Sequence, residues 1–152
     1  MTNRWGISSR VLRNATKYDI PDRVVRQVAR RDKSCVYCKR RFRIGARSRK
    51  NLASWEHMDD CSIKHPKVWN IALCCGRCNT SRGQRGLAEW FDSAYCRKNN
   101  ISRQTVAPVM QRYRKRVTRS LMGAWPRLNS EKRLWVAHSL AFGFLKGAVF
   151  DS

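Results

Sequence analysis

The spacing of apolar positions predicts a helix that begins at Pro21 and leads directly into Cys35. Its apolar positions recur as one helical face and end near Asp32. They are Val24, Val25, Val28 and Ala29. Proline fits the first turn of a helix, so the Asp-Ile-Pro tripeptide is typical of a helix start. Residues 1–18 show little periodicity and several arginines, and we expect them to form a basic N-terminal arm.

The middle of the chain predicts short strands followed by further helix. Residues 38–60 are largely polar and basic with a few apolar positions, which fits a loop and a pair of short strands. Beyond Cys78, apolar residues recur at helical spacing until the pattern ends at Asn99 and Asn100. They are Leu87, Trp90, Phe91 and Ala94. Short strands enclosed by helices indicate an α+β fold.

A basic amphipathic helix is predicted next. Its apolar face carries Val106, Val109, Met110, Tyr113 and Val117. Cationic side chains crowd the rest of its surface: Arg112, Arg114, Lys115, Arg116 and Arg119. Pro108 favours Thr105 over Ser102 as the N-cap, because proline then lies in the first turn instead of the helix interior.

The last apolar segment, residues 134–150, is shorter than the ~20 residues of a membrane span and is interrupted by His138 and Lys146. We therefore expect a buried or dimer-forming helix, and no membrane partner. A homodimer is one possible arrangement.

Charge identifies the class of partner. The 152 residues contain 33 Lys and Arg against 10 Asp and Glu, a formal net charge of +23. That surplus far exceeds the ~2–8 charges that keep a small domain soluble. Basic residues are spread along the whole chain, which indicates a folded body with a broad electropositive surface and not a detachable tail. Nucleic acid is the expected partner.

Four of the seven cysteines form two C-x-x-C pairs, Cys35/Cys38 and Cys75/Cys78. A two-residue spacer lets both sulfurs of a pair reach one tetrahedral ion, and four thiolates leave no open position for substrate. The pattern predicts a structural Zn²⁺ site, against the alternatives of a redox pair or an accidental match. Pairing Cys74 with Cys78 would need a longer spacer, so Cys74 is predicted to be a buried thiol. Cys61 and Cys96 are predicted to be small apolar residues.

The cellular compartment follows from the same cysteines. Seven cysteines cannot all pair, and the first residues lack the apolar stretch of a signal peptide. We therefore expect a cytoplasmic protein.

Glu56 and His57 lie between the two cysteine pairs. The second pair is embedded in Asn70-Ile71-Ala72-Leu73-Cys74-Cys75-Gly76-Arg77-Cys78-Asn79-Thr80-Ser81-Arg82-Gly83. Over about residues 20–95, this order resembles the zinc-stapled members of the HNH endonuclease family. Such members read C-x-x-C, acid-His, Asn and then C-x-x-C-Asn/His-x-x-Lys/Arg-Gly.

The resemblance implies a ββα-metal fold. Two antiparallel strands would carry Glu56 and His57 at the end of the first, with Asn70 on the second strand or in the loop before it. A helix would start near Asn79. The chain then divides into a basic arm (1–18), a zinc-stapled HNH domain (19–98) and a helical extension (99–152) for DNA binding or dimerisation.

The resemblance also implies a role for each residue. His57 would be the general base that deprotonates water, and Asn70 would orient the loop carrying it. Glu56 and Asn79 would hold a single Mg²⁺ or Mn²⁺. Phosphodiester hydrolysis needs an activated nucleophile and a cation, and hard oxygen ligands select these ions while thiolates select zinc. A proline common after the histidine is absent, which makes Asp59 or Asp60 a candidate for a further ligand.

The expected function is therefore DNA endonuclease activity, and the resemblance implies a bacterial or phage-infected host cell. Arg82 and Arg85 are candidates for contacts with DNA phosphates. Residues 101–106 resemble the start of a helix-turn-helix, although Pro108 favours an ordinary packing helix. The alternative is a non-catalytic zinc-ribbon protein that binds nucleic acid and keeps only the cysteines and the charge.

Overall fold

The computed structural model describes residues 8–42, 51–58, 65–134 and 137. In this part of the chain, helices surround one small antiparallel sheet of two strands, a mixed α/β fold. The elements are α1 (Ser9–Lys17), α2 (Asp22–Arg31), β1 (Ala53–His57), β2 (Ile71–Cys75), α3 (Gly76–Arg82), α4 (Leu87–Phe91), α5 (Ala94–Lys98), α6 (Pro108–Ala124) and a 3₁₀ turn (Trp125–Arg127).

The sheet separates two hydrophobic cores. β1 pairs with β2 so that Trp55 lies opposite Leu73, and Glu56 lies opposite Ala72. Because side chains alternate along a strand, these two pairs point to opposite faces. Trp55 and Leu73 pack with the apolar residues of α1 and α2, whereas Ala72 joins the second core, which contains Trp90. Every residue of β2 is buried.

The predicted helix before Cys35 is confirmed as α2. Its buried stripe is the one that periodicity predicts: Val24, Val25, Val28 and Ala29. Pro21 precedes its first turn, and Asp32 caps its end. The Asp32 carboxylate accepts a hydrogen bond from the Leu73 amide at 2.9 Å, and the Arg31 guanidinium donates to the Ile71 carbonyl at 2.7 Å. The end of α2 is thereby fixed to β2.

The predicted basic arm contains helix α1, which packs on the sheet. Val11 and Ala15 are its buried residues, and the Ser8 hydroxyl accepts a hydrogen bond from the Val11 amide at the helix start. The Trp55 indole donates to the Val11 carbonyl at 2.7 Å. Because β1 supplies this apolar surface, a segment with weak periodicity becomes a helix.

The basic amphipathic helix is present as α6, but its predicted start at Thr105 is wrong. The helix begins at Pro108, so proline occupies the first helical position, where its missing amide costs nothing. Thr105 instead closes a turn, its hydroxyl accepting from the Ser102 amide at 2.8 Å. Residues 99–107 separate α5 from α6, far more than the 3–4-residue turn of a helix-turn-helix.

None of the helices within the described ranges combines the length and apolar character needed to cross a bilayer. Most of the C-terminal segment 134–150, which is predicted to be buried or dimer-forming, lies outside these ranges, as do Asp59, Asp60 and Cys61. Leu134, at the start of that segment, is 73% exposed.

Candidate functional site

The two C-x-x-C pairs come together in one cluster, as predicted. Cys35 and Cys38 lie in the turn after α2, while Cys75 ends β2 and Cys78 lies in α3. Their four sulfur atoms all lie within 4.8 Å of one another. The Cys38 and Cys75 sulfurs are 3.8 Å apart, which matches the ~3.8 Å sulfur spacing around a tetrahedral ion with ~2.3 Å bonds. The four cysteines could hold a metal such as zinc.

The backbone around Cys35 is shaped for this cluster. The Lys39 amide donates to the Cys35 carbonyl at 3.0 Å, and the Cys35 amide donates to the Arg40 carbonyl at 2.8 Å. Lys39 has φ of 58°, a left-handed conformation that closes the turn tightly. The Val36 amide donates to the Leu73 carbonyl at 3.0 Å, which attaches the turn to β2.

Crowding four thiols together spreads their pKa values. Hydrogen bonding to Cys38 and to the other cluster thiols, together with burial, raises the pKa of Cys35. Hydrogen bonding from Cys35 lowers the pKa of Cys38, and it lowers that of Cys75 to about 7. Hydrogen bonding from Cys35 lowers the pKa of Cys78, but contacts with Cys38 and Cys75 together with burial raise it by more. Thiolates are the metal-binding form of cysteine, so a cation bound by all four sulfurs would displace protons from Cys35 and Cys78.

Cys74 lies outside the cluster, which confirms the choice of Cys75 as the partner of Cys78. Its sulfur contacts the Glu56 Oε2 atom at 3.5 Å on the opposite side of the strand. Burial raises the pKa of this thiol well above its usual value. Cys96 is also fully buried and lies apart from the cluster, as predicted.

The Glu56 carboxylate is held in a buried network. Glu56 is only 1% exposed. The Tyr37 hydroxyl donates to its Oε1 atom at 2.7 Å, and the Arg82 guanidinium forms an ion pair with the same atom. Burial raises the pKa of Glu56, while the charge of Arg82 and the hydrogen bonds from its neighbours act in the opposite direction. Three side chains thus already satisfy this carboxylate.

Asn79 lies on the same side of the sheet as Glu56. Its amide donates to the Ser54 hydroxyl at 2.8 Å, and Ser54 and Glu56 are two positions apart on β1, so they share a face. Asn79 also lines a cleft between α1 and α3 that includes Arg10. The structure therefore brings the two predicted ligands of the catalytic cation to one face.

His57 is the last residue of β1, and strand alternation directs it away from Glu56. Its ring meets the Tyr18 ring edge-to-face, with centroids 5.4 Å apart. The backbone beside it is fixed by Asn70, whose carbonyl accepts from the Met58 amide at 3.1 Å.

The Asn70 side chain is buried and closes the turn before β2. Its amide oxygen accepts from the Lys67 amide at 2.7 Å, and its nitrogen donates to the His65 carbonyl at 3.2 Å. Asn70 thereby links this turn to the backbone that follows His57, the position from which it was predicted to orient the histidine loop.

The predicted phosphate contacts, Arg82 and Arg85, have partners within the protein. The Arg82 side chain is 15% exposed and turns inward to Glu56. The Arg85 guanidinium donates to the backbone carbonyls of Ser81 and Arg82 at the end of α3. Tyr37, which sequence reasoning does not assign, completes the site, and only its position inside the first C-x-x-C pair signals it.

Protein-family models, curated proteins and solved structures contain no match to this chain. The fold and the site themselves define the class: this is a mixed α/β protein with a two-stranded sheet and a four-cysteine cluster that could bind zinc.

Proposed function

We propose that the protein is an HNH-type DNA endonuclease that hydrolyses phosphodiester bonds. The supporting observation is the arrangement of short elements. One strand ends in Glu56 and His57, the antiparallel strand follows directly after Asn70, and the next helix carries Asn79 beside the cysteine cluster. A structural Zn²⁺ in the cluster would fix Asn79, because Cys78 is its neighbour in the chain.

Two oxygen donors on one face support a cation site of the Mg²⁺ or Mn²⁺ type. The Glu56 carboxylate and the Asn79 amide are the hard ligands that these ions prefer. When bound, the cation supplies positive charge at the phosphate oxygens. Arg82 and Tyr37 contact Oε1 of Glu56 and the Cys74 thiol contacts Oε2, so a cation must displace one of these partners before the carboxylate can serve as a ligand.

The protein's own residues supply the remaining chemistry. The His57 imidazole would accept the proton from the attacking water, so the phosphate must reach the end of β1, where the side chains of Glu56 and His57 diverge. The Asn70 carbonyl accepts from the Met58 amide and fixes the backbone that follows His57. The Asn70 side chain accepts from the Lys67 amide and fixes the turn before β2. Basic side chains across the surface attract the phosphate backbone.

Plasmid cleavage tests the proposal. We expect the purified protein to nick or cut supercoiled plasmid with Mg²⁺ or Mn²⁺, and His57→Ala to reduce the rate about 10²- to 10⁴-fold, the range that general-base catalysis contributes. His65→Ala is the matched control, since His65 is exposed and only its carbonyl is used. Intact plasmid with both metals, or equal cutting by wild type and His57→Ala, would reject the endonuclease.

A second candidate is a non-catalytic zinc protein that binds nucleic acid. The hydrogen bonding of Glu56 favours this second candidate. Its carboxylate already has three donors, Tyr37, Cys74 and Arg82, and needs no metal to balance its charge. This protein would bind DNA tightly and leave it uncut at every metal concentration, and Glu56→Gln would leave its DNA affinity unchanged.

A further inference from the structure

A cationic groove lies between residues 103–104 and the outer face of α6, away from the cysteine cluster. We call it the α6 groove. It is lined by Arg103, Gln104, Gln111, Arg114, Lys115, Thr118 and Arg119. Four of these side chains are cationic, and none of the lining residues is acidic or aromatic.

Helix geometry explains why the groove is so basic. α6 buries Val109, Met110, Tyr113 and Leu121 against the core. Positions 111, 115 and 118 fall on the opposite side at the i, i+4, i+7 spacing of a single helix face. The sequence of α6 contains five Lys and Arg and no Asp or Glu, so no intrahelical ion pair balances this face.

The cations of the groove are held near one another. The Arg114 guanidinium donates to the Arg103 carbonyl at 3.4 Å. Burial and the nearby charge of Arg103 lower the pKa of Arg114, the direction expected when like charges are kept close. A concave surface of one charge sign concentrates field that attracts anions.

The groove is supported by a fixed scaffold. Trp69 stacks on Tyr113 with ring centroids 6.2 Å apart, and the Arg116 guanidinium lies over the Trp69 ring at 4.8 Å. The Ala107 amide donates to the Val36 carbonyl at 2.8 Å, which attaches the start of α6 to the first cysteine turn. The Gln111 amide donates to the Gln104 and Val106 carbonyls and joins the two walls.

We propose that the α6 groove binds the phosphate backbone of duplex DNA without reading base sequence. Guanidinium, ammonium, amide and hydroxyl groups are the donors that proteins use for phosphate oxygens. A groove for single strands would carry aromatic residues for base stacking, and this one is lined by none. A membrane-binding helix would expose an apolar face, whereas α6 buries its own. The inference rests on the proposed DNA substrate, but not on cleavage.

Duplex binding by two matched variants tests the groove. Lys115→Gln/Arg119→Gln removes two exposed groove cations, and Arg23→Gln/Arg26→Gln removes two exposed cations from α2. Anisotropy titrations would use a labelled 30-base-pair duplex without added divalent metal, at several NaCl concentrations. We expect the groove variant to lose on the order of tenfold in affinity per lost contact at ~0.1 M salt, and its salt slope to fall by about 2.

Equal losses of affinity in the groove and α2 variants would overturn the proposal, because general charge alone would then explain binding. Wild-type affinity in the groove variant would overturn it as well. Two further ligands separate the alternatives. A groove variant that loses affinity for single-stranded DNA or for anionic vesicles while keeping its duplex affinity would assign the groove to that other ligand. Circular dichroism checks that both variants remain folded.

The plasmid assay keeps this inference separate from the proposed function. A chain that binds duplex through the groove but leaves plasmid uncut rejects the endonuclease and supports the groove. If the wild type cuts plasmid but the groove variant and the α2 variant bind duplex equally well, the endonuclease is supported and duplex binding by the α6 groove is rejected.

Discussion

At the scale of single residues, the charge of Glu56 depends on Arg82. A carboxylate that is 1% exposed has lost its water, and the Arg82 guanidinium replaces part of that solvation. Removing one partner of a buried pair leaves an uncompensated charge. We therefore expect Arg82→Ala to lower the free energy of unfolding by about 3 kcal/mol, within the 3–5 kcal/mol known for broken buried pairs. Urea denaturation at pH 7 with zinc present measures it.

A double variant distinguishes lost charge balance from lost packing. Glu56→Gln in the Arg82→Ala background removes the unpaired charge and keeps an oxygen that accepts from Tyr37. It should recover more than half of the lost stability. Arg85→Ala serves as the control, since Arg85 contacts only backbone carbonyls and should cost about 1 kcal/mol. If Arg82→Ala lowers the free energy of unfolding no more than Arg85→Ala does, the Glu56–Arg82 ion pair does not stabilise the fold beyond an ordinary hydrogen bond.

The position of Glu56 was predictable, but its partners were not. The acid-His pair at the end of a strand follows from the sequence resemblance, and the structure has both residues at the end of β1. The sequence gives no sign that Arg82 turns inward, because a long arginine on a short helix reaches solvent or core equally well. Tyr37 meets Glu56 only after the cysteine turn folds onto β2.

At the scale of elements, the cysteine cluster connects the turn after α2 to the junction of β2 and α3. A bound ion would join segments that are about forty positions apart, within the hydrophobic core that contains the four cysteines. We expect one zinc per chain in the wild type, and Cys38→Ser to lose the zinc and unfold. Metal analysis and circular dichroism measure both. Adding a strong chelator to the wild type should produce the same unfolded state.

Cys96→Ala is the matched control for that prediction. Cys96 is as buried as Cys35 but lies outside the cluster, so its replacement should keep one zinc and lose about 1 kcal/mol of stability. Loss of zinc in both variants, or in neither, would contradict the assignment of Cys38 as a ligand.

The elements differ in how well periodicity predicts them. α2 was predictable because four apolar residues define its face and proline marks its start. α1 was not, because only Val11 and Ala15 are buried along it and β1 supplies the surface that stabilises it. The start of α6 was misplaced because Val106 continues the apolar pattern, although it packs from the turn before the helix.

At the scale of the whole molecule, the net charge of +23 acts against the compact state. Folding brings the cations closer together than they are in the unfolded chain, and self-repulsion lowers stability. Ten Asp and Glu can pair with only a minority of the 33 Lys and Arg, so ion pairing offsets little of this repulsion. The charge on which the proposed DNA binding depends therefore lowers the stability of the free protein.

Screening that repulsion should stabilise the protein. The Debye length falls from roughly 20 Å at 20 mM salt to below 10 Å at 300 mM, so exposed cations stop repelling distant neighbours. We expect the Tm of the zinc-loaded protein to rise by about 3 °C over that range of NaCl, which corresponds to about 1 kcal/mol for a chain of this size. Scanning calorimetry measures it. The Arg23→Gln/Arg26→Gln variant carries less charge and should gain less from salt. A Tm that stays constant or falls with NaCl would show that specific ion pairs outweigh the repulsion. If the protein binds duplex as proposed, duplex DNA at low salt should raise the Tm further than NaCl does, because an arranged cationic surface binds phosphates more tightly than the unfolded chain does.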